Sequence, residues 1–162
     1  MEKTCIIKQI TLSGLLIGLA IIIGLFLHFP LFGGQVYLIG IIIFVMPLFL
    51  RIDMLIISAI SSVVLVDVIS GFGQYSWMSA IAYGLAIIPI WLMLKLQFKI
   101  FYFISLIISS LIIIATYYFL ERITFGSALA FKDFLATSLQ MAIVVPIVIM
   151  LYWPLKMASK IL

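Results

Sequence analysis

The chain has 162 residues, of which 67% are hydrophobic and 9% are charged, and its net charge is +4. A soluble domain averages about 45–50% apolar and about 25% charged residues, and so short a chain has too little interior to bury the excess. This composition excludes a water-soluble globular domain. The lysines and arginines form no run and no aromatic-interleaved patch, which excludes nucleic acid as a partner.

Charged and turn residues divide the apolar sequence into six stretches that are candidates for membrane-spanning helices. The hydrocarbon core of a bilayer is about 30 Å thick and needs roughly 20 helical residues. We predict an all-α integral membrane protein, a bundle of six transmembrane helices that forms a single domain over 1–162. The predicted helices lie at about 11–29, 36–50, 54–70, 77–94, 100–120 and 133–153. The second stretch is short for a span, and the first is too long for the apolar region of a signal peptide.

The positive charges indicate how the bundle is oriented. Six spans place both termini on one side, and lysine and arginine are enriched in the cytoplasmic loops of membrane proteins. On the side of the termini lie Lys3, Lys8, Arg51, Lys95, Lys99, Lys156 and Lys160. The opposite side has Arg122 and Lys132. This asymmetry predicts that both termini are cytoplasmic.

Several classes of chemistry lack their residues in this sequence. The pattern G-x-x-x-x-G-K-[ST], whose loop binds ATP phosphates, is absent. His28 is the only histidine and Cys5 the only cysteine, too few for a zinc site or an intramolecular disulfide. His28 has no obviously placed acid partner for hydrolase chemistry and suits a polar anchor at the membrane interface. We therefore predict a protein that is not an enzyme and that holds neither metal nor cofactor.

Polar and aromatic residues gather near the helix ends on the side opposite the termini. A carboxylate at membrane depth is costly and is a functional candidate by default, which singles out Asp67. Its alternative roles are to cap the nearby loop or to pair with Arg122, and Tyr75 and Trp77 also fit an interfacial aromatic belt. The predicted substrate-binding residues are Gln35, Tyr37, Asp67, Gln74, Tyr75, Trp77, Tyr83, Thr137 and Gln140.

The last helix adds a polar stripe to this group. Asp133, Thr137 and Gln140 recur at i, i+4 and i+7 and so share one helix face, which should point into the bundle and away from lipid. Aromatic walls with a few hydrogen-bonding groups are typical of a small-molecule site. They suit a flat, polar, vitamin-like ring better than an inorganic ion, which would need an acidic cage. Asp67 is the only acid well inside a predicted span, which disfavours a proton relay.

The first predicted helix carries a different signal. Gly14 and Gly18 form a G-x-x-x-G pattern in its cytoplasmic half. Small residues one turn apart allow another helix to approach closely. That helix could belong to a partner protein, or to the bundle itself, in which case the glycines are internal packing residues.

The chain resembles the substrate-binding S components of energy-coupling factor (ECF) vitamin transporters. The resemblance covers nearly all of the chain and includes its size, six spans, basic start and small-x-x-x-small first helix. The sequences GGQVYL at 33–38, LVDVISGF at 65–72, YSW at 75–77 and YG at 83–84 are most similar to the hydroxymethylpyrimidine and pyridoxine branch. That branch often has Gly-Asp where this chain has Ile39-Gly40, and Lys-Gly where it has Tyr83-Gly84.

The resemblance implies a function and partners. An S component captures a vitamin at its outer loops, docks on a membrane-embedded T component that carries two ATPase subunits, and topples in the bilayer to release the ligand. It implies that Gly14 and Gly18 face the T component and that the chain lies in the plasma membrane of a prokaryote. The runner-up is a self-sufficient secondary transporter, which would usually show inverted repeats or a chain of membrane acids. A membrane enzyme and a structural subunit are the remaining alternatives.

Overall fold

A computed structural model describes residues 2–31, 34–95 and 99–159 of the chain. These residues form six α-helices and one two-stranded antiparallel hairpin. The helices are α1 (Glu2–Phe26), α2 (Gly40–Val45), α3 (Ile52–Ile69), α4 (Ser76–Lys95), α5 (Lys99–Thr124) and α6 (Ser127–Ser159). The hairpin strands are β1 (His28–Leu31) and β2 (Gly34–Tyr37). Residues 32–33 and 96–98 of two predicted turns, and Lys160, lie outside the described residues.

Within the described residues, five stretches are long and apolar enough to cross a membrane. They are Ile6–Phe26, Ile52–Ile69, Gly73–Leu94, Ile100–Thr124 and Ser127–Ala158. Large apolar side chains remain on the outside of the bundle, among them Phe26 (80% exposed) and Ile123 (83% exposed). Such a surface suits lipid and not water. The prediction of an α-helical, multi-pass membrane protein is confirmed.

The second predicted helix differs from the structure. A single helix over 36–50 is wrong, because Val36 and Tyr37 belong to β2, where they pair with Phe29 and His28. The helix α2 has six residues, all buried, and is followed by a 3-10 turn at Met46–Leu48. Pro47 has no N–H and would clash with the carbonyl four residues earlier, so it does not continue an α-helix. The buried Tyr102 hydroxyl donates to the Phe44 carbonyl at 3.2 Å.

The segment that contains the short helix α2 runs back along α1 from Leu27 to Gln9. At one end the Leu38 amide donates to the Leu27 carbonyl (3.1 Å). At the other end the Gln9 side chain donates to the Phe49 carbonyl (3.2 Å) and accepts from the Arg51 amide (3.0 Å). Residues 9 and 27 are about 27 Å apart along a helix at about 1.5 Å per residue. The segment 38–51 therefore returns to the Gln9 end of the bundle.

The opposite end of the bundle carries the hairpin and the turns between α3 and α4 and between α5 and α6. The chain first reaches this end through α1, which packs closely against α3. A Cβ on Gly24 would lie 2.8 Å from a Val66 methyl carbon, closer than real atoms approach. Gly71 lies in the turn between α3 and α4 with φ of +83°, and Gly126 lies in the turn between α5 and α6 with φ of +92°. This backbone conformation favours glycine. We call this end of the molecule the hairpin end.

Candidate functional site

A cavity of about 260 Å³ opens at the hairpin end of the bundle. Its apolar lining consists of Pro30, Ile39, Val63, Val66, Phe72, Leu129 and Ala136. Its polar and tyrosine lining consists of Gln35, Tyr37, Asp67, Tyr75, Ser79, Tyr83, Tyr117, Glu121, Asp133, Thr137 and Gln140. We divide the polar and tyrosine lining into a deepest, a middle and an outer level. Residues four apart on one face of a helix lie one turn apart along the bundle, and so belong to successive levels.

Gln140 organises the deepest level. Its side chain is 7% exposed, and its amide nitrogen donates to the Tyr83 hydroxyl at 3.1 Å. Its amide oxygen accepts from the Tyr37 backbone N–H at 3.4 Å. One side chain thus connects α6 to α4 and to β2. Tyr83 keeps its own hydroxyl proton for another acceptor.

The middle level is a hydrogen-bonded chain across three helices. Ser79 on α4 donates to the Asp67 carboxylate on α3 at 2.5 Å. The hydroxyls of Ser79 and Tyr117 on α5 are 2.6 Å apart. Since a hydroxyl has a single proton, Tyr117 donates to Ser79 when Ser79 donates to Asp67. The carboxylate therefore bonds to α4, whereas the sequence had suggested a loop cap or Arg122.

The outer level contains two carboxyl groups that the sequence analysis did not include among the binding residues. Glu121 on α5 is 2% exposed, and one of its oxygens is buried with no hydrogen-bond partner. Asp133 on α6 is half-buried, and the two carboxyl groups interact with each other and with Tyr75. The sequence placed Glu121 in a loop and Asp133 at a helix end, whereas α5 extends to Thr124 and α6 begins at Ser127, so that both acids lie within helices, near their ends.

Aromatic rings cover the outer level. The rings of Tyr75 and Phe125 are 5.1 Å apart, and those of Phe72 and Tyr75 are 6.4 Å apart. His28 stacks on Tyr37 at 5.6 Å, and its Nδ1 is 2.7 Å from the Leu25 carbonyl. The Nδ1–H therefore donates to that carbonyl. This position at the exposed end of α1 fits the anchoring role that the sequence suggests.

Buried hydrogen-bonding atoms without partners also face the cavity from the hairpin. They include the Gln35 side-chain oxygen and the Tyr37 hydroxyl. Burial raises the pKa of the Tyr37 hydroxyl above its ordinary value of 10.0. The group therefore keeps its proton at neutral pH and is available as a hydrogen-bond donor. Buried polar atoms are rarely left unpaired, so these two mark places where a ligand would gain hydrogen bonds.

Seven of the nine predicted binding residues line this cavity: Gln35, Tyr37, Asp67, Tyr75, Tyr83, Thr137 and Gln140. Gln74 and Trp77 are exposed and are not in its lining. Trp77 is 47% exposed on the outer face of α4, where it fits the interfacial belt. The structure adds Ser79, Tyr117, Glu121 and Asp133 to the lining, and Asp133 belongs to the stripe that the sequence placed inside the bundle.

Gly14 and Gly18 lie on the surface of α1 and are not in the lining of this cavity. A Cβ added at either glycine would meet no atom within 4 Å. Gly14 is exposed and Gly18 half-buried. Gly24, which packs against the lining residue Val66, is about 15 Å from Gly14 and about 9 Å from Gly18 at about 1.5 Å per residue. In the described residues, no other helix of the bundle therefore comes within 4 Å of a Cβ placed at either glycine.

In the described parts of the chain, no three Asp, Glu, His or Cys side chains come close enough to hold a metal ion. A scan of the sequence against protein-family models finds no match, and a search of the curated proteins also finds none.

Proposed function

We propose that the chain is the substrate-binding S component of an ECF-type importer for a small water-soluble vitamin or vitamin precursor. The observation that carries the proposal is the cavity at the hairpin end, with its aromatic walls and buried, unpartnered hydrogen-bonding atoms. Ligand sites in proteins combine these features. Pyridoxine or a hydroxymethylpyrimidine is the leading candidate, from the resemblance of 33–38 and 65–72 to that branch.

The open face of Gly14 and Gly18 supports the proposed partners. Because a Cβ at these positions meets no atom of the residues that the structure describes within 4 Å, the groove is available to a helix of another protein. We assign it to a membrane-embedded T component, which carries two ATPase subunits that supply the energy. The protein itself is then a transport subunit and not an enzyme.

The proposed orientation places both termini in the cytoplasm of a prokaryotic cell and the cavity outside. It is supported by the return of the chain from Leu38 to Arg51, which brings Arg51 beside Gln9 at the end rich in lysine. Arg122 and Lys132 lie at the hairpin end. In a Cys5→Ser background, Gly126→Cys should react with an impermeant maleimide added to whole cells, and Asp53→Cys should not. Reaction at Asp53→Cys alone would reverse the orientation.

A secondary transporter remains the second candidate, and the structure strengthens it. Asp67, Glu121 and Asp133 all lie within candidate spans, and carboxyl groups at such positions occur in proton relays. Vesicles separate the two functions. An S component alone binds pyridoxine or hydroxymethylpyrimidine without accumulating it, and accumulation requires the T component, the ATPases and ATP. Accumulation by the lone chain under a proton or sodium gradient would establish the secondary transporter.

A further inference from the structure

The acidic residues of this basic protein are concentrated in its cavity. The chain has nine Lys and Arg residues against five Asp and Glu residues. Three of those five acids, Asp67, Glu121 and Asp133, line the cavity. None of the lining residues that the structure describes is Lys, Arg or His. The field in the cavity therefore opposes the net charge of the chain and favours a positively charged guest.

Glu121 provides a second and independent indication of a ligand. Its side chain is 2% exposed, one of its oxygens has no hydrogen-bond partner, and it faces the cavity. Its charged neighbour in the cavity is another carboxyl group, Asp133. Lys132 is exposed and acts on Asp133. Burying two adjacent carboxylates is costly, and either a proton shared between them or a bound cation removes that cost. A positively charged guest would take the place of the shared proton.

The surroundings indicate an organic cation and not a metal ion. Tyr75 interacts with both carboxyl groups, and its ring centroid is 6.4 Å from that of Phe72 and 5.1 Å from that of Phe125. Aromatic faces attract ammonium and heteroaromatic cations. The described residues contain no group of three acidic, His or Cys side chains that could hold a metal. Hard cations such as Ca²⁺ and Mg²⁺ require several oxygen ligands at short distance.

We propose that the cavity binds an organic cation, with its positive group at Glu121, Asp133 and Tyr75 and its polar end at Asp67 and Gln140. The two ends are about 10 Å apart along α6, since seven residues separate Asp133 from Gln140 at about 1.5 Å each. A ligand with a ring at one end and an ammonium or cationic ring at the other spans this distance. The proposal deepens the proposed function and rests on it for the identity of the cavity as the binding site.

Matched pairs of compounds test the charge directly. Pyridoxamine and pyridoxine share a ring and differ in an ammonium against a hydroxyl. Thiamine carries a permanently cationic ring that its neutral pyrimidine half, hydroxymethylpyrimidine, lacks. With the purified chain in nanodiscs at pH 7, calorimetry should show that the cation of at least one pair binds about tenfold or more tightly than its neutral counterpart.

Variants of the two acidic residues test whether they cause the preference for the cation. Glu121→Gln and Asp133→Asn should each reduce that preference to about threefold or less. Asp53→Asn, which removes an exposed acid at the opposite end of the bundle, should preserve it. Because one Glu121 oxygen has no hydrogen-bond partner and its charged neighbour is a second carboxyl group, Glu121→Gln should leave thermal unfolding of the ligand-free protein unchanged or raise its midpoint. A midpoint that falls would mean that the Glu121 carboxyl stabilises the ligand-free protein, and would overturn the proposal.

The possible failures are distinguishable from failure of the proposed function. Tighter binding of both neutral compounds, or a cation preference that survives Glu121→Gln and Asp133→Asn together, would overturn the organic cation while leaving the S component intact. A cation that binds as expected, but that the lone chain accumulates under an ion gradient, would retain this inference and overturn the S component. Binding of none of the four compounds overturns the organic cation, and ATP-dependent uptake with partners then decides the S component separately.

Discussion

The two ends of the bundle differ in how their surfaces are built. At the hairpin end, side chains from α3, α4, α5, α6 and the hairpin converge on a cavity that contains three carboxyl groups. Toward the other end, α1 presents Gly14 and Gly18, which have no side chains, and no other described residue fills the space beside them. The first surface suits a small polar molecule and the second suits an apolar helix. The proposed ligand capture and the proposed partner docking should therefore be separable by mutation.

The largest expected effect is on the glycine face. Gly14→Trp or Gly18→Trp should abolish ATP-dependent uptake by the complete complex, because a bulky side chain prevents a partner helix from approaching. Ligand binding by the purified chain should stay within about twofold of wild type, since neither glycine lines the cavity and a side chain at either position faces open space. Radiolabelled uptake and calorimetry on the same preparations measure the two. A parallel loss of binding and uptake would join the two ends into one functional unit.

The cavity should show the next largest effect. Asp67→Asn and Gln140→Ala should each weaken ligand binding by about tenfold to a hundredfold, the equivalent of about 1–3 kcal/mol for a lost buried hydrogen-bonding partner. The change in affinity is measured by calorimetry with whichever of pyridoxine, pyridoxamine, thiamine and hydroxymethylpyrimidine binds most tightly. If both variants bind like wild type, the ligand is held elsewhere.

A pair of glycine substitutions should separate packed from open surface on α1 itself. Gly24→Ala should destabilise the protein by about 1–3 kcal/mol, because its methyl group would overlap Val66 in a close-packed contact. Gly18→Ala faces open space and should instead be neutral or stabilise slightly, since alanine favours helix. Unfolding midpoints in detergent report the difference. Equal effects at the two positions would mean that Gly18 is packed as Gly24 is.

The smallest effect is expected at the edge of the cavity. Trp77→Ala should change ligand affinity by less than about twofold, since Trp77 is exposed on α4 and exposed interfacial side chains contribute little to a remote site. Tyr75→Ala, two residues away and in the lining, is the matched comparison and should weaken binding clearly. Equal losses would extend the site onto the outer face of α4.

The five long helices could be predicted because apolar length alone determines them. The end of α5 and the start of α6 were predicted less well, because charged residues were interpreted as helix boundaries. Glu121 and Asp133 were taken as loop boundaries or helix ends, whereas both lie inside helices and face the cavity. The four-residue spacing of Tyr117 and Glu121, which repeats that of Asp133 and Thr137, is the signal that could have included them. The hairpin also had a signal, since Gly33-Gly34 separates two short runs that contain aromatic or β-branched residues, and paired glycines in such a place favour a turn.

The partners within the site could not be predicted. Ser79 bonds to Asp67 across two helices, and Gln140 bonds to the Tyr37 backbone over 103 residues of sequence. Such contacts depend on how the helices pack, which helical periodicity does not define. The path of 38–51 was equally hidden, because a short apolar stretch does not reveal whether it forms a span or a buried connection.

The buried segment around α2 also imposes an order on assembly. The Phe44 carbonyl is satisfied by Tyr102, and the Tyr37 amide is satisfied by Gln140. A ribosome produces residues 37 and 44 well before 102 and 140, so this part of the chain must wait, with backbone groups unpaired, until α5 and α6 reach the membrane. In lipid each unpaired backbone group is costly. Truncation after α4 should therefore leave an unstable fragment that membrane proteases degrade, although it contains three complete spans.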